Sequence, residues 1–423
     1  MNQTSFAWKK RTILFLVSQG ITALGSAIVQ MAIIWYVTLE TSSGAWVSAL
    51  TICSFVPQMV ISLFSGVWAD RYNRKRLIIL ADIVIAAATL ILALLFPHLS
   101  NNNVILTAIL LVSVIRSLGS GVQSPAVSAM IPQLVPEEHL MRFNGINATL
   151  QSIIQFASPA AAAAILSMSV FQSVLFLDVS TAVVGIGLLV CITLPPLQKT
   201  VSGEKTSFFS EMKEGIVYAL SNNLIGLLLL IFGVFIFLSI PSGFLSALLV
   251  TRTFGEKYLF LTIVEMVGFI GMTASGLLLG TWGGFRNRIL TLLTGIAVYA
   301  LFAILAGLIR NFVLFTVAMF FMSSAIPMVQ IAVTTLIQEK ADPGVQGRVF
   351  SLLGMAYSGF LPIGMAVFGP AADHIAVQTL MIITGSLLLL FAILLKINRS
   401  FYNRGNNEQT KLPMPETDPT GLG

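Results

Sequence analysis

Three charged residues lie inside long apolar stretches of the sequence: Arg116, Glu265 and Asp82. An ionised side chain at bilayer depth costs at least about 2.5–3.5 kcal/mol, so it is kept only where something offsets that cost. We interpret Glu265 as a proton carrier or as the counter-charge of a cationic ligand, because a desolvated carboxyl group can load and release protons. Arg116 cannot lose its proton and would instead tune a carboxylate or hold one conformation. The alternative for each residue is a static, hydrogen-bonded charge.

Uncharged polar residues recur at helical spacing in four apolar stretches, which places each set on one face of a helix. Amide side chains do not face lipid, so these faces predict either a water-filled central cavity or hydrogen bonds between helices. We favour the cavity, because whole polar faces exceed what packing requires. Phe55 would add an apolar contact for a bulky ligand. The predicted cavity residues are Gln19, Ser26, Gln30, Phe55, Gln58, Asn147, Gln151, Gln155, Gln330 and Thr334.

The composition indicates which elements must position these residues. Hydrophobic residues make up 56% of the 423 residues and charged residues only 9%. A soluble domain carries about 25% charged residues, and a membrane span needs about 20 mostly apolar ones. The sequence therefore predicts an all-α integral membrane protein. Its twelve transmembrane helices are predicted at residues 12–39, 46–69, 77–96, 104–131, 145–167, 173–194, 222–250, 258–281, 289–309, 312–337, 349–370 and 376–396.

The distribution of lysine and arginine predicts the orientation of these helices. With the N-terminus inside, 19 of the 23 Lys and Arg residues fall on the cytoplasmic side and three on the outer side. Because cytoplasmic loops carry the excess of basic residues, both termini are expected in the cytoplasm. The net charge of +6 then needs no nucleic-acid partner. The predicted divisions are an N-terminal half at 1–194, a cytoplasmic linker at 195–221, a C-terminal half at 222–396 and a disordered cytoplasmic tail at 397–423.

The two six-helix halves repeat each other weakly in their loops. Gly66 precedes Arg74 by eight positions after the second span, and Gly280 precedes Arg288 by eight positions after the eighth. Parallel repeats of this kind are typical of transporters whose substrate site lies near the midplane, between the halves. The repeat therefore favours a transporter built from two six-helix pseudo-repeats.

The loop after the second span is predicted to act as a gate. Asp70 would meet the positive N-terminus of a neighbouring helix, and the cations after it would reach carboxylates across the interface between the halves. Such contacts hold one conformation shut and break in the other. The alternative is that the cations only orient the chain in the membrane. The predicted gating residues are Gly66, Asp70, Arg71, Arg74, Lys75, Gly280 and Arg288.

The pattern Gly66-x-x-x-Asp70-Arg71-x-x-Arg74-Lys75 resembles the loop motif of the major facilitator superfamily. More narrowly, the chain resembles the macrolide-efflux branch of its drug exporters. That likeness is carried by Gly25–Thr38, Leu134–Glu138, Glu211–Gly215, Gly276–Gly280 and Gly347–Leu352. It covers nearly the whole chain and implies the fold of that superfamily, alternating access, export of amphipathic antibiotics and coupling to inward proton flow.

Two patterns of drug–proton antiporters are only partly matched. Their fourth span often reads Arg-x-x-Gln-Gly, whereas this sequence has Arg116 followed by Gly119 at the position of the glutamine. Their fifth span carries Gly-Pro-x-x-Gly-Gly, whereas here Ser158 precedes Pro159 and alanines replace the later glycines. The arginine and the small residues are kept, and the glutamine is not.

The sequence thus predicts a secondary transporter of the bacterial cytoplasmic membrane that exports macrolide-like drugs by proton antiport. It contains no Walker loop, catalytic triad or metal-binding cluster, so we expect a protein that is not an enzyme, needs no cofactor and is not driven by ATP. The resemblance implies the proton gradient as its energy source, and we expect a monomer. Its expected partners are a hydrophobic small molecule, protons and the lipid bilayer. The alternatives are a transporter of another solute, such as a sugar, metabolite or siderophore, and a membrane receptor that transports nothing.

Overall fold

The computed structural model describes residues 3–192, 217–218, 221–341 and 346–403. Within these ranges the secondary structure is helical, with no strand. The first half contains α1 (Gln3–Thr41), α2 (Gly44–Arg71), α3 (Arg74–Leu95), a short 3-10 helix (Phe96–His98), α4 (Asn102–Leu134), α5 (Glu137–Met168) and α6 (Phe171–Val190). The second half contains α7 (Asn223–Gly243), α8 (Ser246–Phe254), α9 (Tyr258–Trp282), α10 (Arg288–Leu308), α11 (Phe312–Lys340), α12 (Gln346–His374), α13 (Val377–Ile397) and α14 (Arg399–Asn403).

In the part of the chain that the structure describes, twelve helical segments are long and apolar enough to cross a membrane, which confirms the predicted number and order of spans. The seventh span differs from the single helix predicted at 222–250, because it runs over Asn223–Phe254 and is broken between α7 and α8. Pro241, which has no backbone N–H, lies in the last turn of α7. Beyond the break, Arg252 lies in a helix, whereas the predicted seventh span ended at residue 250.

Asparagine begins equivalent helices in the two halves. Asn73 caps α3 and Asn287 caps α10, each by accepting from backbone N–H groups of the first turn. Asn101 and Asn311 do the same for α4 and α11, which are the fourth and tenth spans. A side-chain acceptor at this position satisfies N–H groups that a helix cannot bond internally. The pseudo-repeat expected from the loops therefore extends to the helix caps.

The two halves contact each other mainly through α2 against α12 and α5 against α9. Each half also packs internally, with α1 on α6 and α2 on α4 in the first and α10 on α11 and α13 in the second. We call the end at which α2 meets α3 the basic end, since Arg74, Lys75 and Arg288 lie there, and the end at which α1 meets α2 the distal end.

Two predicted segments lie partly or wholly outside the described residues. Of the predicted linker 195–221, the structure describes only residues 217, 218 and 221. The predicted disordered tail begins with an ordered turn, because α14 follows the last span and Phe401 is buried against the core. Burial of the apolar Phe401 side chain stabilises α14, which ends at Asn403. Residues 404–423 lie outside the described part.

Candidate functional site

The interface between the halves is closed at the distal end by close contact of α2 and α12. A Cβ atom added to Gly44 would overlap the carbonyl oxygen of Gly369, and one added to Gly369 would overlap the side chain of Ser48. The Ser48 hydroxyl donates a hydrogen bond of 2.8 Å to the carbonyl of Met365. Only glycine permits this approach, so the two helices touch backbone to backbone.

The same interface opens toward the basic end. Phe55 lies seven residues beyond Ser48, about two helical turns or 10 Å along the same face of α2. Although this face meets α12 at Ser48, the Phe55 side chain is 37% exposed. Between α5 and α9, the Phe156 and Phe269 rings still touch at a centroid distance of 5.2 Å. We infer from the buried Ser48 and the exposed Phe55 on one face of α2 that the space between the halves is closed at the distal end and open toward the basic end.

The predicted cavity residues fall into two groups. The predicted cavity residues outside α1 are all exposed or half-buried, namely Phe55, Gln58, Asn147, Gln151, Gln155, Gln330 and Thr334. On α1, Gln19 is buried, Ser26 donates to Asp178 at 3.3 Å, and the Gln30 amide donates to the Ser54 hydroxyl at 3.3 Å. Ser26 and Gln30 thus bond to neighbouring helices, which is the alternative interpretation of such a face, whereas the buried Nε2 of Gln19 has no partner among the described residues. Lining of a cavity remains a prediction for the other residues.

Arg116 is buried in a cluster that joins four helices of the first half. Its guanidinium forms an ion pair with Asp178 of α6 and donates to the Thr89 hydroxyl of α3 at 2.5 Å. Ser26 of α1 and Thr89 each donate to the same carboxylate. The side chains of Arg116 and Asp178 are 7% and 1% exposed. We call Ser26, Thr89, Arg116 and Asp178 the charge cluster.

Asp178 was not identified from the sequence, although the signal was present. It lies seven residues from the start of α6, in an apolar span, and the cost of an embedded charge applies to it as it does to Arg116. The pairing itself depends on the tertiary structure, since 62 residues separate the two side chains. The charge cluster makes Arg116 a structural tie between helices of one half.

Asp82 forms a second polar contact between α3 and α4. Its Oδ1 accepts a hydrogen bond of 2.5 Å from the Gln123 amide, and its Oδ2 is buried without a partner in the described part of the chain. Asp82 precedes Thr89 by seven residues, just as Arg116 precedes Gln123. The two contacts therefore lie two turns apart along one helix pair.

Gly119 lies between these contacts and explains why the antiporter glutamine is absent. A Cβ atom at this position would lie 2.6 Å from Cγ1 of Ile85 in α3 and 3.4 Å from the carbonyl of Ala81. A side chain here would force α3 and α4 apart, because packed interiors tolerate extra volume poorly.

Gly119→Ala is therefore expected to lower the stability of the protein by about 1–3 kcal/mol, the usual cost of overpacking. Thermal unfolding in detergent measures this. Gly187→Ala is the matched control, because Gly187 is also in a helix and a Cβ there would meet no atom within 4 Å. Equal melting temperatures for the two variants would contradict close packing at Gly119.

Glu265 faces the space between the halves. On the same helix, Phe269 contacts Phe156 of α5, and Gly268 packs against Ser323 of α11. Glu265 lies on the face between these two contacts, away from the lipid side of α9. Its side chain is exposed, and it makes no hydrogen bond or ion pair with the residues that the structure describes. An unpaired carboxyl group therefore faces the opening between the halves.

The described gating residues contact their own halves in this conformation. Arg74 donates to the carbonyl of Ala129 at 2.6 Å, and Lys75 donates to two carbonyls at the end of α6 at 2.8 Å. Arg288 pairs with Glu339 of α11 at 3.4 Å. Their contacts across the interface between the halves stay a prediction, which applies to the conformation in which the basic end is closed.

The remaining gating residues give less information. Gly66, Asp70 and Arg71 are in the last turns of α2, and their side chains lie outside the described part. Gly280 lies near the basic end of α9 with open space beside it.

Comparisons with known proteins agree with this architecture. The sequence profile of the Major Facilitator Superfamily matches residues 15–364. Macrolide efflux protein A of Streptococcus pyogenes is 32% identical over 388 residues, which cover 91% of this chain and 95% of that protein. Macrolide efflux protein A of Enterococcus faecalis is 32% identical over 76% of this chain and 99% of its own length. The crystal structure of a mutant of the nucleoside transporter NupG superposes with a TM-score of 0.71 over 92% of this chain and 99% of its own, at 13% identity, which is a likeness of fold.

Proposed function

We propose, on the premise that the chain belongs to the Major Facilitator Superfamily, that this transporter exports amphipathic, macrolide-like drugs by proton antiport. The observation that carries the proposal is the 32% identity to macrolide efflux protein A, which extends over 91% of the chain. The aligned region covers both halves, and so it covers the helices that would meet the substrate. The substrate class is therefore inferred from the whole chain and not from one motif.

The basic end is assigned to the cytoplasm of a bacterium, because Lys and Arg accumulate in cytoplasmic loops. Both chain termini then lie in the cytoplasm and the distal end faces outward. The opening between the halves would accept a drug from the cytoplasm or the inner leaflet. Export requires the halves to rock until the basic end closes and the distal end opens.

The surface of the opening suits an amphipathic molecule. The exposed ring of Phe55 on α2 and the exposed Met272 on α9 offer apolar contacts from the two halves. Gln155 and Gln330 are exposed amides on α5 and α11 that can bond hydroxyl and carbonyl groups. A site with adaptable apolar contacts and a few amides binds bulky, weakly charged ligands.

Proton coupling is assigned to Glu265. Its carboxyl group faces the opening without a partner in the described residues, so it is accessible to protons and to drug in turn. A proton taken up at the outer face would favour return of the empty protein to the inward-open state. The proton gradient supplies the energy in this scheme, no cofactor takes part, and one chain suffices because the site lies between its own two halves.

Uptake of a labelled macrolide tests the proposal. Susceptible bacteria that express the protein are expected to accumulate less drug than the same bacteria without it, and an uncoupler should abolish the difference because it collapses the proton gradient. Equal accumulation with and without the protein would contradict macrolide export. Screening sugars, metabolites and siderophores in the same strains would then identify another solute.

A further inference from the structure

The distal ends of α2 and α12 are joined by a carboxylate that caps a helix of the other half. Asp373, in the last turn of α12, accepts from the backbone N–H groups of Gly44 at 2.6 Å and Ala45 at 2.9 Å. The Ser43 hydroxyl donates to the same carboxylate at 2.8 Å. A negative charge at a helix N-terminus is stabilised by the unpaired N–H groups and by the helix dipole.

Arg252 of α8 completes this contact from the second half. Its guanidinium binds Asp373 at 3.0 Å and also donates to the carbonyls of Ala372 and Ser42. Ser42 has a φ of 45°, which is unusual for a residue other than glycine, and this turn directs its carbonyl toward Arg252. We call residues 42–45, Arg252 and Asp373 the distal clasp.

The distal clasp joins residues 42–45 of the first half to Arg252 and Asp373 of the second, whereas the contacts given above for Arg74, Lys75 and Arg288 lie within one half. The carboxylate and the guanidinium of the clasp are 25% and 30% exposed, so water reaches them. Charge-assisted hydrogen bonds of this kind are stronger than neutral ones, yet at the surface they can break and reform. They would be lost whenever α2 separates from α12.

We propose that Asp373 and Arg252 form a latch that holds the distal end shut, so that its release precedes opening of the distal side. The proposal rests on alternating access as proposed above. The latch sets the ratio of distal-closed to distal-open protein in the absence of substrate, and it does not contact the substrate. Asp373 and Arg252 are therefore positioning residues for the transport cycle.

Distances between spin labels test the latch directly. In a C53S/C191S background, labels at Asn102→Cys and Arg310→Cys report the distal separation of the two halves, since both positions are exposed at that end. D373N should shift the ratio of distal-open to distal-closed protein by about fivefold, the size of effect expected from weakening a partly exposed ion pair. D373E, which keeps a carboxylate, should stay closer to the unmodified protein.

E339Q is the matched control, because the pair of Arg288 and Glu339 has similar exposure but makes no described hydrogen bond to the other half. It should leave the distal distances unchanged. If D373N fails to fold, R252Q removes the other partner and should give the same shift. Unchanged distances in folded D373N or R252Q would overturn the latch, even if export persists. A shift in distance together with no macrolide export by the parent protein would support the latch and reject the proposed substrate.

Discussion

Arg116→Ala is expected to destabilise the protein by about 3–5 kcal/mol, because removing one partner of a buried ion pair leaves an uncompensated charge. The remaining Asp178 carboxylate is 1% exposed and would keep only the hydroxyl groups of Ser26 and Thr89 as donors. The charge cluster joins α1, α3, α4 and α6, so its loss should loosen the whole first half. Thermal unfolding in detergent and the amount of folded protein in the membrane measure this effect.

A double substitution separates the cost of an unpaired charge from the loss of the ion pair itself. The variant R116M/D178L replaces both charges by apolar groups, and we expect it to be clearly more stable than Arg116→Ala, since apolar pairs often substitute for buried ion pairs. Arg288→Ala provides the exposed comparison, because a surface pair contributes about 0–1 kcal/mol. Similar losses for Arg116→Ala and Arg288→Ala would contradict a structural role for the charge cluster.

Glu265→Gln is expected to reduce uphill export driven by a pH gradient to background while drug binding is retained. The amide has nearly the same shape as the carboxyl group but cannot carry a proton, and Glu265 has no hydrogen-bond partner in the described residues whose loss could disturb the fold. Proteoliposomes with an imposed pH gradient measure uphill transport of labelled macrolide. Exchange of drug against drug in the same vesicles measures binding and rocking without net proton movement.

Asp82→Asn is the comparison for this experiment, since Asp82 is the other embedded carboxylate without an arginine partner. Uphill export by Glu265→Gln at the parent rate would show that another group carries the proton. Loss of uphill export in Asp82→Asn but not in Glu265→Gln would assign proton transfer to Asp82, at the contact between α3 and α4. Loss of drug exchange in Glu265→Gln would instead indicate a counter-charge for the drug.

The spans and the embedded charges could be predicted because both follow from local composition. Twenty apolar residues and one costly charge are recognisable without any knowledge of neighbouring helices. The partner of Arg116 was not predictable in this way, since it depends on how α4 packs against α6. A polar face on α1 likewise does not reveal whether it meets water or another helix.

The distal clasp could not be predicted from the sequence for a different reason. Arg252 and Asp373 lie near the ends of spans, where charged residues are common and carry no desolvation signal. Their importance comes from the approach of α12 to α2, which two glycines at positions 44 and 369 allow. Glycines in apolar spans are too frequent for such a contact to be chosen from sequence.

The ion pair of the charge cluster also bears on how the chain is made. Arg116 is synthesised 62 residues before Asp178, a delay of about 3–12 s at common translation rates. During that interval the fourth span carries a charge without its final counter-ion. Completion of the sixth span removes this penalty, and it does so before the linker and the second half emerge from the ribosome. We therefore expect the first half to assemble in the membrane as a unit before the second half is complete.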